Sequence, residues 1–487
     1  MSTNLAIIEN QNDLVIDHLK AEAQETLSSL LPLAESGDAD AQYELAKFYD
    51  EKSGIPEDPD LAWSWMLKAA EQGHALATAF LIFSDKVNTF TFFIEGMAIP
   101  EAPQKLPWRD RDVAIASTVP ALKDLATKDN NTDAKFYLGW FTLFGIENTG
   151  DSENSQAYFK DGANAGCPAC MVSLGVLSSD KDQPTPLHWF EQSWGKHFPS
   201  AGIRLGQAYL NGEHGLAKSA ETAFNYFMQS ALLGSAEGAR HVANCYALGV
   251  GVAQSEQSAF RWYLEGADRK DSEALYTLSF IEQTLHTIDA AADQKLAWLI
   301  EAVRLGSANA MAYYGLILVH GRGVDQDIER GLNLLKRGHK AGVGQASFTL
   351  AQLYRDGEHQ PRNLRLAANL FQISARRGYS WGHYHFGLAC LFGHGIEQSA
   401  ELAATHFEEA MQSGIIAAAT GLGVADYALR RDAAEALGFI LFGTRSIDRP
   451  IPQWTQETMD RLIGELDDQG MADAEEVYAT LRNRFRN

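Results

Sequence analysis

The chain has 487 residues, with 40 Lys and Arg against 63 Asp and Glu, for a formal net charge of −23. With 46% hydrophobic and 21% charged residues it holds enough apolar material for a large core, which excludes a mainly disordered chain. Phosphates would be repelled, so neither nucleic acid nor an anionic membrane surface is expected as partner, and a basic protein or peptide fits better.

In chain order, the N-terminus has no basic start, and Glu9 and Asp13 interrupt its short apolar stretch. It makes a poor secretory signal, and residues 1–33 read as a capping helix. Residues 34–130 hold the first repeats and, near 84–108, a non-repeat insertion. Within that insertion Pro100, Pro103 and Pro107 rule out one regular helix. No run of 18 apolar residues occurs, so no membrane span is expected and the default is a cytoplasmic protein. Four cysteines do not make a disulfide scaffold.

From residue 131 to 423 the chain repeats itself. Gly306, Gly342, Gly378 and Gly414 are each 36 residues apart; Gly234 lies on the same lattice, with Lys270 in the empty slot. Gly139 and Gly175 share the spacing, and a shortened copy at 167–197 shifts the frame before Gly206. Within one unit, 308–320 is an apolar run ended by Gly321-Arg322-Gly323-Val324, a helix stop and turn. Residues 328–341 then show helical spacing of Gly331, Leu334, Leu335 and Gly338. Each unit thus predicts two antiparallel helices. Four residues after the closing position stands a small residue, such as Ala41, Ala77, Ala134, Cys170, Ala201, Ala274, Ala310 or Ala346, where only a small side chain lets two helices approach. Eight residues before it a ring recurs, as Trp65, Tyr158, Trp189, Tyr226, Trp262 and Trp298, expected to fill the space between units. After Ile415 the repeat loses its Gly-x-Gly turn, and 424–487 read as C-terminal capping helices. Their two polar-faced helices, 454–466 and 471–484, would cap the array.

The residues Ala41-x3-Leu45-Ala46-x2-Tyr49 and Ala62-x2-Trp65-x2-Lys68-Ala69-Ala70-x2-Gly73 resemble the Sel-one-like repeat (SLR), a relative of the tetratricopeptide repeat. Ala310-x3-Tyr314-Gly315-x2-Leu318-x2-Gly321-x-Gly323-Val324-x2-Asp327 is similar to the same template, and the likeness covers about 34–73 and 131–423. The resemblance implies an all-α, right-handed α-solenoid of about ten helix pairs, acting as a scaffold or adaptor for proteins; it implies no reaction.

Other chemistries are weighed against plainer roles. Cys167-Pro168-Ala169-Cys170 could serve redox work at a helix start, where a thiol pKa falls, but Cys170 occupies the small packing slot and no βαβ context surrounds it. His383, His385, His394 and His406 cluster, yet His383 and His385 point to different faces, and a two-histidine metal site wants a spacing of four. Gly249-Val-Gly251, Gly321-Arg-Gly323 and Gly393-His-Gly395 follow no strand, so they read as helix-ending turns and not phosphate loops. No catalytic residue, metal or cofactor is assigned.

What remains is the concave groove that first helices line in such solenoids. A helical wheel on 308–320 puts Ala310, Tyr314 and Leu318 on the packed side, and Asn309, Ala312, Tyr313, Leu316 and Val319 away from it. Equivalent positions supply the candidate partner-binding residues Arg240, His241, Asn244, Phe348, Gln352, Arg355, Trp381, Tyr384 and His385, together with Tyr313. Aromatic residues beside Arg have the composition of binding hot spots. The expectation is a non-enzymatic adaptor, such as a bacterial regulator or a toxin-neutralising protein. The alternatives are an enzyme or small-ligand binder using the insertion or the cysteine pair, and a self-assembling structural protein. The oligomeric state stays open.

Overall fold

The computed structural model describes residues 2–51, 57–89, 111–146, 152–446 and 450–485. Among them the chain forms 26 helices and no strand, an all-α solenoid of stacked helix hairpins. It divides into two compact units, Met1–Ala310 and Met311–Asn487. Most of the insertion expected near 84–108 lies outside the described residues, and the helix Ala75–Thr89 runs into its start.

The hairpins follow from local signals. Second helices start on a side chain that accepts the backbone N–H three residues on: Asp58, Ser219, Ser255, Asp327, Asn363 and Ser399. First helices use Asn131, Ser235, Asp271 and Ser307 in the same way. Each such cap contributes about 1 kcal/mol. First helices end on left-handed glycines, among them Gly249 and Gly393 (φ +69° and +67°). At Lys270, the slot that lacks its glycine, the backbone is still left-handed, with φ +66°. The second glycine of the turn serves close approach: a Cβ on Gly251 or Gly395 would strike the backbone carbonyl of Ala220 or Leu364.

Packing is set by small residues. Ala77, Ala134, Cys170, Ala201, Ala274, Ala310, Ala346 and Ala418 are fully buried. Of the recurring rings Trp189 is buried as expected, whereas Trp65, Tyr158, Trp262 and Trp298 pack against the core but stay partly exposed, Tyr226 is partly exposed too, and the residue after each of these five fills the core. Those residues are Met66, Phe159, Phe227, Tyr263 and Leu299, joined later by Leu335, Phe371 and Phe407. At three of these positions a glycine faces the ring: a Cβ on Gly139, Gly206 or Gly387 would stand 2.5–2.8 Å from the ring of Phe159, Phe227 or Phe407, so the missing side chain makes room for it. Serines tie the same hairpins, Ser230 and Ser374 donating to the carbonyls of Pro199 and Gly344 at 3.0 and 2.8 Å.

In the first unit the array returns on itself. The Glu57 N–H donates to the Gly234 carbonyl at 3.3 Å, and the Ala236 N–H donates to Glu57 Oε2 at 3.1 Å. Asp60 receives Arg304 through two contacts of 3.0 and 2.9 Å. One hairpin here is irregular: its first helix stops at Leu278 and resumes only as Ile281–Thr284. In the second unit, helix Asp468–Arg484 packs on helix Ala433–Arg445, bringing Leu481 to the buried cluster around Phe407 and Phe442.

Candidate functional site

The second unit holds a cleft of 340 Å³. It opens where the last turn of helix Gly344–Asp356 meets the second helix Leu364–Arg376 and the next first helix Ser380–Phe392. Arg355 lines one side; Leu364, Ala367, Ala368 and Phe371 form one wall; His385, Leu388, Ala389 and Phe392 form another. His394, in the turn, and Trp454, from the C-terminal helix Gln453–Glu465, complete it. Phe392 and Trp454 meet edge to face at 5.5 Å, which carries the C-terminal segment to the rim.

Polar groups converge at one end. The Arg355 Nη1–H donates to His385 Nδ1 at 3.1 Å, and the same guanidinium grips Asp356 at 2.7 and 2.8 Å. The His385 ring stacks on Phe371 at 5.2 Å and 17°. Burial and then the Arg355 charge push the His385 pKa down to about 4, against Asp356, so the imidazole is neutral at pH 7. Its hydrogen-bond partner is a guanidinium and not a nucleophile, so this pairing holds shape and supplies no activated hydroxyl or thiol. The cleft offers an apolar slot with one polar edge, suited to receiving a side chain.

Sequence reasoning placed Arg355 and His385 here, and the structure brings them together. Trp381 and Tyr384 sit on the same helix beside the cleft, in edge-to-face contact at 5.7 Å; Trp381 is 36% exposed and Tyr384 leans on Phe407. Phe348 differs from expectation. It is buried among Phe371, Tyr379 and His385, and supports the cleft from behind. Gln352 and Tyr313 are half-buried and do not line it. Ala312 and Val319, placed on the free face by the helical wheel, are fully buried, because a first helix is flanked by its own partner and by neighbouring repeats.

In the first unit Arg240, His241 and Asn244 are taken up by packing. Arg240 pairs with Asp271 at 3.1 Å and Glu237 at 3.4 Å, His241 stacks on Phe227 at 4.6 Å, and Asn244 accepts from the Tyr263 hydroxyl at 2.6 Å. Phe371 and Trp454 escape the sequence reading because they lie outside the first helices, and Phe392 because it is the last residue of its first helix, beyond the positions carried over from 308–320. A Trp opening an otherwise polar C-terminal helix was the available signal.

Cys167 and Cys170 take part in capping and packing. Cys167 Sγ caps helix Pro168–Leu177 by accepting the Cys170 N–H at 3.3 Å, and Cys170 is fully buried where a Cβ on Gly162 would touch its sulfur. The contact between the two thiols lowers the pKa of Cys167 and raises that of Cys170, with burial opposing the first shift and adding to the second. His383 and His406 approach to 3.0 Å through their Nδ1 atoms, while His385 and His394 point elsewhere. No group of three or more His, Cys, Asp or Glu with metal-holding geometry exists among the described residues. Among them, too, no helix is long and apolar enough to cross a membrane.

A family model described as Sel1 repeat matches residues 39–74, 199–235, 236–271, 308–342, 344–379 and 383–414. A protein of Neisseria meningitidis serogroup B, described as uncharacterized, is 22% identical over 367 residues, or 66% of this chain and 77% of that one. Among solved structures, a protective antigen present in uropathogenic Escherichia coli strains and displaying an SLR fold aligns over 94% of this chain and 95% of its own, with 22% identity and a TM-score of 0.50. A Sel1 repeat protein from Oxalobacter formigenes covers 54% of this chain and all of its own at 20% identity and a TM-score of 0.40. The alignment to the Escherichia coli protein shows a shared fold.

Proposed function

From the premise that this chain is built of Sel1 repeats, we propose that it is a non-enzymatic adaptor that docks a protein or peptide in the cleft of its second unit. The observation that carries this is the convergence of Arg355, His385, Phe371, Phe392 and Trp454 around 340 Å³ of space, beside the exposed Trp381. Aromatic and Arg side chains held rigid by a helical framework bind at low ordering cost. The chemistry that would support an enzyme is committed to the fold: the cysteines to a cap and a packing slot, the paired glycines to turns. Regulating or neutralising the docked partner both follow from occupying it. At long range the net charge of −23 favours a basic partner.

Affinity purification of the full-length chain from its native cell, run beside Trp381→Ala and Trp454→Ala, tests this. A partner retained by the wild type and lost by a variant with unchanged melting supports docking at the cleft. A partner held equally by all three places the site elsewhere. Light scattering that shows growth of assemblies with concentration would favour the self-assembling alternative.

A further inference from the structure

We propose that the segment docking in this cleft is acidic, opposite in sign to what the net charge suggests. The inference rests on the docking function above and names the partner's chemistry. Residues 320–380 carry ten Arg and Lys against five Asp and Glu, a net charge of +5 inside a chain whose total is −23. At physiological salt a charge is felt over about 8 Å, so a surface site responds to its neighbours and not to the sum over the molecule.

Some cations elsewhere are tied to carboxylates, as Lys47 to Asp133 at 2.6 Å, Arg240 to Asp271 at 3.1 Å, Arg304 to Asp60 at 2.9 Å and Arg445 to Glu475 at 2.8 Å, while others, such as Lys160, Lys181, Lys218 and Arg261, are exposed and form no salt bridge among the described residues. Arg355 is likewise neutralised by Asp356. Arg362, Arg365, Arg376, Lys336 and Lys340 are all exposed, and among the described residues none of them forms a salt bridge. What sets the unpaired cations of this stretch apart is their place beside an apolar cleft, where they offer a counter-charge to an acidic ligand.

Their placement matches the cleft. The Arg362 Nε–H donates to the Arg355 carbonyl at 3.2 Å, which holds it beside the rim. Arg365 follows the lining residue Leu364 in the first turn of helix Leu364–Arg376, and Arg376 lies eleven residues on along the same exposed stripe. The face of that helix next to the stripe carries Ala367, Ala368 and Phe371 into the cleft. An acidic peptide with an aliphatic or aromatic anchor satisfies both halves: the anchor enters the apolar slot, and flanking carboxylates meet Arg362 and Arg365.

The test is fluorescence anisotropy on the full-length chain. The probes are a labelled Asp/Glu-rich peptide with a central Leu-Trp pair and its Lys/Arg counterpart, with a single-stranded oligonucleotide and phosphatidylserine vesicles as competitors. The acidic peptide should bind and weaken with salt, and should lose roughly tenfold in affinity with the R362E/R365E pair, whose exposed side chains leave the melting temperature unchanged. Phe392→Ala should weaken it as well. Equal or tighter binding of the basic peptide overturns the proposal, as does charge reversal without effect. If the basic peptide binds and Phe392→Ala abolishes that binding, the docking site stands and the acidic partner falls. If neither peptide binds, or neither responds to Phe392→Ala, both fall. Tight oligonucleotide or vesicle binding that ignores Phe392→Ala would mark a general polyanion surface and overturn the peptide assignment.

Discussion

His385 shows how one side chain sets the behaviour of the site. Its folded pKa of about 4 lies below the ordinary imidazole value, so between these two values the unfolded chain binds a proton that the folded one refuses. Stability of the second unit should therefore be full above about pH 6.5 and fall as the pH drops towards 4. Protonation would also set two donors, Arg355 Nη1 and His385 Nδ1, against each other at 3.1 Å. His339 and His406, both lowered mainly by burial, act with the same sign. The contribution of His385 is isolated by comparison with His385→Gln: thermal unfolding at pH 5 and pH 7 should show a smaller pH difference in the variant. An imidazole resonance of His385 that titrates near its ordinary pKa in the folded protein would contradict this.

At the scale of the helix hairpin, the glycine and the ring it faces are one packing element. Phe227→Ala should cost about 3–5 kcal/mol, because the ring is fully enclosed, and Gly206→Ala about 1–3 kcal/mol, because the ring must give way. Tyr226→Ala, one residue earlier and partly exposed, should cost clearly less than Phe227→Ala; urea unfolding followed by circular dichroism orders the three. This hairpin was legible in the sequence through its glycine lattice, its small residues and its caps, since each of those is a local signal. The ring was misplaced by one residue because sequence spacing records that an aromatic recurs, but not which of two adjacent positions faces the glycine. The free face of the first helix was misjudged because a wheel assumes one buried side, while Ala312 and Val319 are enclosed by neighbours it does not include. The cleft was half legible: Arg355 and His385 lie on the repeat lattice, whereas Trp454 arrives from outside the array and no periodicity points to it.

At the scale of the whole molecule, charge is sorted more than its total implies, with the basic stretch of the second unit set inside an acidic chain. In the first unit the sorted charges join residues 244 positions apart, where Asp60 meets Arg304, with Lys270 and Glu301 alongside at 3.4 Å. These pairs are half-buried and joined in a network, so Arg304→Gln should cost about 1 kcal/mol, a modest fall in melting temperature. It should also speed hydrogen exchange at the Glu57 and Ala236 amides, which this return of the chain protects, while amides inside the hairpins keep their rates. Unchanged exchange at those two amides would show that the ion pairs do not hold the return. Under tension between residues 60 and 304 this junction, held by the Arg304–Asp60 pair and the two Glu57 hydrogen bonds, is expected to act as a fuse that yields before the hairpins. Ionic strength sets how much pull that fuse withstands.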